Sequence, residues 1–184
     1  MKSKIILFMP CVDLGGVEKN FFLISNFLAE NKNNIVVISV SKNIKSRLHK
    51  NIKFVSLNLN IWSKLSRRLK FILGIFLLIR EIFKDKNSLV VSFQANIYCG
   101  LLSKLFGFNL IIRSNSSPAG WSKNFIKKCF YKIGLHAAKK VIVNSKDFKK
   151  IIKKEFNINA TTIYNPLNKK EIIKLSKKKI KFSF

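Results

Sequence analysis

The amino-acid sequence predicts an α/β fold, a doubly wound and mostly parallel sheet of about seven strands with helices on both faces. Short runs of Ile, Val and Leu alternate along the chain with patterns of helical period, as in parallel sheets that helices cover. Several runs are apolar throughout, which is typical of strands buried on both faces. No internal repeat and no Gly/Ser-rich linker interrupts the 184 residues. We therefore expect one domain over residues 1–168 and a basic tail over residues 169–184.

The expected elements follow in this order. Strands are expected at residues 4–9, 35–40, 53–57, 89–93, 110–113, 140–144 and 161–164. Helices are expected at residues 17–30, 63–83, 97–105, 123–138 and 146–156, and the tail begins with a basic helix at residues 169–178. Phe21, Ile24 and Leu28 give the first helix an apolar face. Ser145 is placed to cap the fifth helix, and Pro166 ends the last strand because Asn165 before it is driven out of helical conformation.

The charge of the chain is strongly positive. The 36 Lys and Arg against 8 Asp and Glu give a net charge of +28, which favours a polyanionic partner such as nucleic acid, anionic lipid or a phosphorylated ligand. A composition rich in Lys, Asn, Ile and Phe also arises from nucleotide bias, so charge alone leaves the partner open. The 48% of hydrophobic residues excludes a disordered or low-complexity protein.

The cysteines and apolar runs indicate a reduced, cytosolic protein. Cys11, Cys99 and Cys129 are odd in number and widely spaced, which argues against a disulfide framework or a structural zinc site. The run at residues 5–9 has no signal-peptide cleavage site after it. The run at residues 71–79 is far shorter than the roughly 20 residues that span a bilayer. We therefore expect no membrane-spanning segment.

Four loops should lie together at the carboxyl edge of the sheet, where doubly wound folds bind their ligands. These loops are residues 10–16, 94–96, 114–120 and 165–167. In the first, Gly15 and Gly16 precede a helix and can form a phosphate cradle, although a structural turn explains them equally well.

The later loops at this edge carry polar side chains. Arg113 can clamp a phosphate, and Ser114 and Asn115 can bind sugar hydroxyls, or the loop can satisfy its own backbone. Gln94 and Asn96 can face the same cleft. The sequence shows no Ser/His/Asp set, no H-E-x-x-H motif and no paired carboxylates, so it carries little catalytic machinery of its own.

Residues 62–86 combine basic and apolar side chains at helical spacing. Such a helix can lie in an anionic membrane interface, with Arg67, Arg68, Lys70 and Arg80 facing the lipid. The alternative is an ordinary crossover helix whose apolar stripe packs on the sheet.

Five segments, taken in order, resemble motifs of the family-4-type glycosyltransferases of GT-B architecture. They are residues 15–19 (GGVEK), 91–96 (VSFQAN), 112–118 (IRSNSSP), 140–145 (KVIVNS) and 163–167 (IYNPL). The resemblance covers residues 2–178 and is to the N-terminal, acceptor-side domain of a pair of Rossmann-like domains. The Glu-x7-Glu motif of the second domain is absent, because no glutamate of this chain has another eight positions later.

The resemblance implies retaining transfer of a sugar from a nucleotide-diphosphate sugar, with no cofactor and no required metal. Gly15 and Gly16 would face the donor diphosphate. The acceptor side would be lined by Gln94, Asn96, Arg113, Ser114 and Asn115, and the interdomain edge by Asn165 and Pro166. Gln94 or Asn115 would stand where relatives often have His, so no catalytic residue is assigned.

The acceptor implied by the resemblance is a glycan or a lipid-linked acceptor in lipopolysaccharide or polysaccharide biosynthesis. The chain would then work in the cytoplasm, peripherally at the inner face of the plasma membrane. As half an enzyme it would be inactive alone, and a separately encoded chain can supply the second domain. Two rival hypotheses are a basic nucleic-acid-binding module, which lacks any helix-turn-helix, zinc or RNP signature, and an inactive partner subunit.

Overall fold

Seven parallel strands form one sheet in the computed structural model, which describes residues 4–12, 15–32, 34–57, 65–115 and 125–177. The strands are β1 (Ile5–Phe8), β2 (Ile35–Ile38), β3 (Ile52–Val55), β4 (Leu89–Ser92), β5 (Asn109–Ser114), β6 (Lys140–Val143) and β7 (Thr161–Thr162). Each expected strand is present, and every pairing is parallel. The predicted fold class is confirmed.

Six α-helices accompany the described strands. They are α1 (Gly16–Asn31), α2 (Arg67–Lys84), α3 (Asn96–Phe106), α4 (Phe125–His136), α5 (Lys146–Phe156) and α6 (Lys169–Ser176). Ser145 caps α5 as expected, because its hydroxyl accepts from Phe148 N at 3.1 Å. A 3₁₀ helix at Lys42–Arg47 was not predicted. The end of the tail, residues 178–184, lies outside the described residues.

The strand order is β3-β2-β1-β4-β5-β6-β7. The chain therefore winds outward from β1 in one direction as far as β3, and then from β4 in the other direction as far as β7. The point of reversal lies between β1 and β4, whose last residues Phe8 and Ser92 are in register. In open α/β sheets, ligands bind at the carboxyl ends of the strands at such a point.

The reversal decides which face each helix covers, because parallel crossovers are right-handed. The helices α2 to α5 follow β3 or later strands, and all four pack on one face, which we call the four-helix face. Its buried core includes strand residues such as Phe8, Leu110 and Ile112, and helix residues such as Leu77 and Ile152. None of the described helices is both long enough and apolar enough to cross a membrane.

The opposite face, which we call the α1 face, has a smaller core. There α1 packs on β1 and β2 through residues including Phe21, against Leu7 and Val37. On this face of β4 to β7, apolar side chains are only partly covered, and Ile111 and Ile142 line an open groove. Among the described residues, α6 borders this groove through Ile172, but Ile111 and Ile142 stay only partly buried.

Candidate functional site

Side-chain hydrogen bonds join the strand ends at the carboxyl edge of the sheet. Gln94 Oε1 accepts from Cys11 N at 3.3 Å and so ties the loop after β4 to the loop after β1. Asn96 accepts from Ser92 Oγ at 2.8 Å and donates to Arg113 O at 3.3 Å, which ties β4 to β5. Gln94 and Asn96 therefore lie at the switch point, and their part in an acceptor-side cleft stays a prediction.

The N-terminus of α1 opens at this edge. Gly15 is the N-cap in extended conformation, with no side-chain cap, and Gly16 begins the helix. Among the described residues, apart from its chain neighbours and its own helix backbone, no atom lies within 4 Å of where a Cβ of Gly16 would stand. A Cβ on Gly15 would meet Glu18 Oε2 at 2.7 Å. The Glu18 carboxylate thus folds back over the start of the helix, where the backbone amides carry positive potential.

Arg113 at the end of β5 is a buried cation, only 3% exposed. Its Nη2 donates to Asn165 Oδ1 at 3.1 Å and to Ile163 O at 3.4 Å. Burial lowers the pKa of the guanidinium, which nevertheless stays protonated at any physiological pH. No described carboxylate forms an ion pair with Arg113.

A groove of about 1120 Å³ brings these parts together. It runs along the open half of the α1 face, with apolar strand residues such as Ile111 and Ile142 in its floor. Gly16, Arg113, Asn165 and Pro166 also line it. The chain segments at the ends of β1, β5 and β7 thus contribute to one groove. Five other predicted residues are not part of its lining, namely Gly15, Gln94, Asn96, Ser114 and Asn115.

Two other predicted residues sit differently. Ser114 is 2% exposed, and strand alternation turns its side chain to the face opposite Arg113. Asn115, next along the chain, accepts through its backbone oxygen from Asn144 Nδ2 at 3.4 Å. Residues 13–14 of the first loop, and residues 116–120 of the third with its Ser-Ser-Pro segment, lie outside the described residues.

Solved structures share this fold. HepE of Anabaena, determined in complex with UDP and glucose, superposes with a TM-score of 0.57 at 13% identity, over 94% of this chain and 49% of HepE. UGT2 of Phytolacca americana, determined with UDP-2-fluoro-glucose and pterostilbene, has a TM-score of 0.54 at 8% identity, over 88% of this chain and 52% of its own. A UGT transferase of Siraitia grosvenorii, determined with UDP, has a TM-score of 0.51 at 13% identity, over 88% and 50%.

The fold is that of one half of a GT-B glycosyltransferase. The chain spans about half the length of the enzymes that it matches. No protein-family model matches the sequence, and no curated protein matches it.

One polar residue of this GT-B domain was missed in the sequence. Asn144 directly follows β6 at the same edge as Arg113, and its amide contacts Asn115. Its position after an apolar strand was the available signal, but the segment around it was interpreted as a strand and a helix cap.

The membrane-facing candidates of the GT-B domain lie on α2, which is a crossover helix that packs on the sheet through residues including Leu77 and Ile82. Arg67, Arg68 and Arg80 are exposed, and Lys70 is half-buried. The outward side of α2 also exposes four large apolar side chains, an unusual feature for a crossover helix. They are Leu69, Ile72, Phe76 and Phe83.

Metal-ligating side chains do not gather in the described part of the chain. Within those residues no group of three or more His, Cys, Asp or Glu is placed to hold a metal ion. Transfer without a metal or other cofactor stays a prediction.

Proposed function

We propose that this chain is the N-terminal, acceptor-side half of a retaining glycosyltransferase. It uses a nucleotide-diphosphate sugar and a glycan or lipid-linked acceptor of cell-surface polysaccharide synthesis. One observation carries the proposal: the start of α1 at Gly16 and the Arg113–Asn165 pair line one groove at the switch point of a GT-B-type sheet.

The start of α1 has the chemistry to stabilise a departing diphosphate. The first amides of a helix have no partner within the helix and point toward its N-terminus. A diphosphate placed there gains hydrogen bonds and the favourable end of the helix dipole as negative charge develops on it. Because Glu18 folds over Gly15, its carboxylate and the diphosphate compete for one position. Donor binding therefore displaces the Glu18 side chain.

The proposed enzyme needs a second Rossmann-like domain, on this or another polypeptide. Chains of the same fold are about twice as long, and the Glu-x7-Glu motif expected for donor binding is absent from this sequence. Asn165 and Pro166, both exposed after β7, would form the interdomain edge. The chain alone would then bind donor weakly and show no turnover.

An anionic membrane is the proposed location of the reaction, on its cytoplasmic side. The exposed apolar side chains of α2 lie among Arg67, Arg68, Lys70 and Arg80. The outward side of α4 repeats the combination, since Phe125, Ile126, Phe130 and Ile133 are exposed along with three lysines. Apolar side chains ringed by cations bind the interface of anionic bilayers.

The donor half of the proposal is tested by titrating the ¹⁵N-labelled chain with UDP-glucose. We expect the amide signals of Gly15, Gly16 and Val17 to shift at millimolar donor, and glucose alone to leave them unchanged. Gly16→Asp places a second carboxylate at the helix start and abolishes the response. Asn159→Asp, an exposed change of equal charge on the far side of the sheet, is the matched control. Shifts confined to other regions would contradict the proposal.

The acceptor environment is tested by co-sedimentation with anionic vesicles and, separately, with oligonucleotides across a salt series. We expect vesicle binding that weakens when Phe76 and Phe130 are both replaced by Ser. Stronger retention by oligonucleotide at ordinary salt would favour the nucleic-acid-binding module instead. Recovery of a chain with a Glu-x7-Glu domain in a pull-down would support a split enzyme, whereas a stable complex without transferase activity would support an inactive partner subunit.

A further inference from the structure

Unpartnered polar atoms are concentrated at one place in the described structure. Four of the five buried side-chain atoms without a hydrogen-bond partner belong to three residues at the carboxyl edge: Arg113 Nε, both polar atoms of the Asn115 amide, and Asn144 Oδ1. The fifth, Thr162 Oγ1, points to the other face by strand alternation. Buried polar groups are almost always paired in native proteins, so this concentration requires an explanation.

The three residues form one patch. Arg113 pairs in register with Ile142, and Ser114 with Val143, so the next pair is Asn115 and Asn144. Alternation along β5 and β6 then turns Arg113, Asn115 and Asn144 to the α1 face. The Asn144 amide donates to Asn115 O at 3.4 Å, which holds the two asparagines together. Arg113 lines the groove, and Asn115 and Asn144 follow Arg113 and Ile142 on the same face, one step nearer the carboxyl edge of the sheet.

Arg113 also has no ion-pair partner among the described residues, in contrast to Glu81. Glu81 is 2% exposed and lies within salt-bridge distance of Lys4 and Lys84. Arg113 is 3% exposed, and in the part of the chain that the structure describes its guanidinium donates to neutral acceptors, Asn165 and the Ile163 carbonyl. A buried charge without a counter-ion is destabilising, and a guanidinium with a free N–H group matches a carboxylate or phosphate.

We propose that Arg113, Asn115 and Asn144 form a binding pocket for a hydroxylated anion, namely a sugar that carries a carboxylate or a phosphate. The anionic group accepts from Arg113 and from the Asn115 amide. Adjacent sugar hydroxyls donate to the Asn115 and Asn144 carbonyl oxygens, which a bare anion would leave unpaired. That this sugar belongs to the acceptor rests on the proposed function, whereas the pocket itself does not.

The Arg113 Nε–H group provides a direct NMR signal, assigned by its absence in Arg113→Lys. At constant ionic strength we expect glucuronate or glucose 6-phosphate to shift this signal, and the stronger of the two identifies the anion as carboxylate or phosphate. Glucose, which lacks the charge, and acetate, which lacks the hydroxyls, should bind about ten-fold more weakly or not at all. If neither anionic sugar shifts the signal, or if glucose or acetate binds as well, the proposal is overturned.

A charge substitution tests the pocket without removing the buried arginine. Asn115→Asp keeps the side-chain size and supplies the missing carboxylate beside Arg113. We expect this variant to melt at a higher temperature and to lose the response to glucuronate and glucose 6-phosphate. The control Asn159→Asp makes the same change at an exposed position and should keep the response. A lower melting temperature for Asn115→Asp, or an undiminished response, would refute the assignment.

Failure of this inference can be told apart from failure of the proposed function. UDP-glucose is followed at Gly16, and the anionic sugars are followed at Arg113 Nε, in the same labelled protein. A response at Arg113 without one at Gly16 would preserve the pocket and refute donor binding. A response at Gly16 alone would support donor binding and refute the anionic-sugar pocket.

Discussion

The two faces of the sheet differ in how fully they are covered. On the four-helix face, Ile112 and Leu110 are completely buried under helices. On the α1 face, Ile111 of the same strand and Ile142 of the neighbouring strand β6 line an open groove. Neighbouring residues of one strand thus have opposite surroundings. One face therefore supplies most of the packed core of the domain, while the other leaves apolar strand residues partly uncovered.

The largest expected difference is in the free energy of unfolding after alanine substitution of two adjacent isoleucines. Ile112→Ala leaves a cavity in the closed core and should lower the free energy of unfolding by about 4 kcal/mol. Ile111→Ala removes the same atoms from the groove floor, where solvent fills the space, and should cost about 1 kcal/mol. Urea unfolding of both variants measures the difference. Equal losses would mean that the α1 face is closed in solution.

A smaller effect is expected where two helices of the four-helix face touch. A Cβ on Gly100 of α3 would stand 2.1 Å from the Gly134 carbonyl oxygen of α4. Because that neighbour is backbone and cannot rotate away, Gly100→Ala should force the helices apart and cost about 3 kcal/mol. The melting temperature reports the loss. A melting temperature unchanged from the wild type would show that α3 and α4 are not held so closely.

We expect acid to lower the stability of the protein through Glu81, which lies on helix α2 of the four-helix face. Burial raises the pKa of the Glu81 carboxyl, but the hydrogen bond and charge of Lys84 and the charge of Lys4 outweigh it, so the pKa lies below its ordinary value of 4.5. The stability that Glu81 contributes is therefore complete above about pH 4.5 and is lost as the pH falls through the folded-state pKa.

Urea unfolding between about pH 7 and about pH 3 should then show a loss of stability that depends on Glu81. Glu81→Gln is the comparison, and it should have lower stability at neutral pH with a flatter acid limb. Arg113 on the α1 face stays protonated over this pH range, so it contributes nothing to the pH dependence of the free energy of unfolding. If the free energy of unfolding depended on pH equally in the wild type and in Glu81→Gln, the assignment to Glu81 would be contradicted.

The smallest effect on stability is expected at the start of α1. Gly16→Ala fits, since nothing lies within 4 Å of its Cβ position, and should change stability by less than about 1 kcal/mol. Gly15→Ala displaces the Glu18 carboxylate instead. If the helix start binds the donor diphosphate, Gly16→Ala weakens the UDP-glucose response by covering the amides. An unaltered response would place the donor elsewhere.

The strands could be predicted because strands buried on both faces leave an unambiguous apolar signal. All seven appear within a few residues of their expected positions, and α5 begins at the residue after the predicted cap. The 3₁₀ helix at Lys42–Arg47 was missed because its six residues are too few to show an amphipathic repeat. The start of α2 was placed too early, since Ser66 provides the cap.

The site was predicted only as far as topology determines it. Parallel strands bring their carboxyl ends to one edge, so the meeting of Gly16, Arg113 and Asn165 followed from the strand pattern. The hydrogen-bond partners of these residues cannot be predicted from the strand pattern. Arg113 and Asn165 are 52 positions apart, and their pairing depends on packing that no local pattern encodes.

The half-covered α1 face also bears on how copies of the domain behave in solution. Apolar strand residues open to water make two copies attract each other, while a net charge of +28 makes them repel. Added salt shortens the reach of that repulsion to about 10 Å at 0.1 M and leaves the attraction intact. The purified domain should therefore stay monodisperse in dilute buffer and cluster reversibly as salt rises, unlike proteins whose association depends on ion pairs.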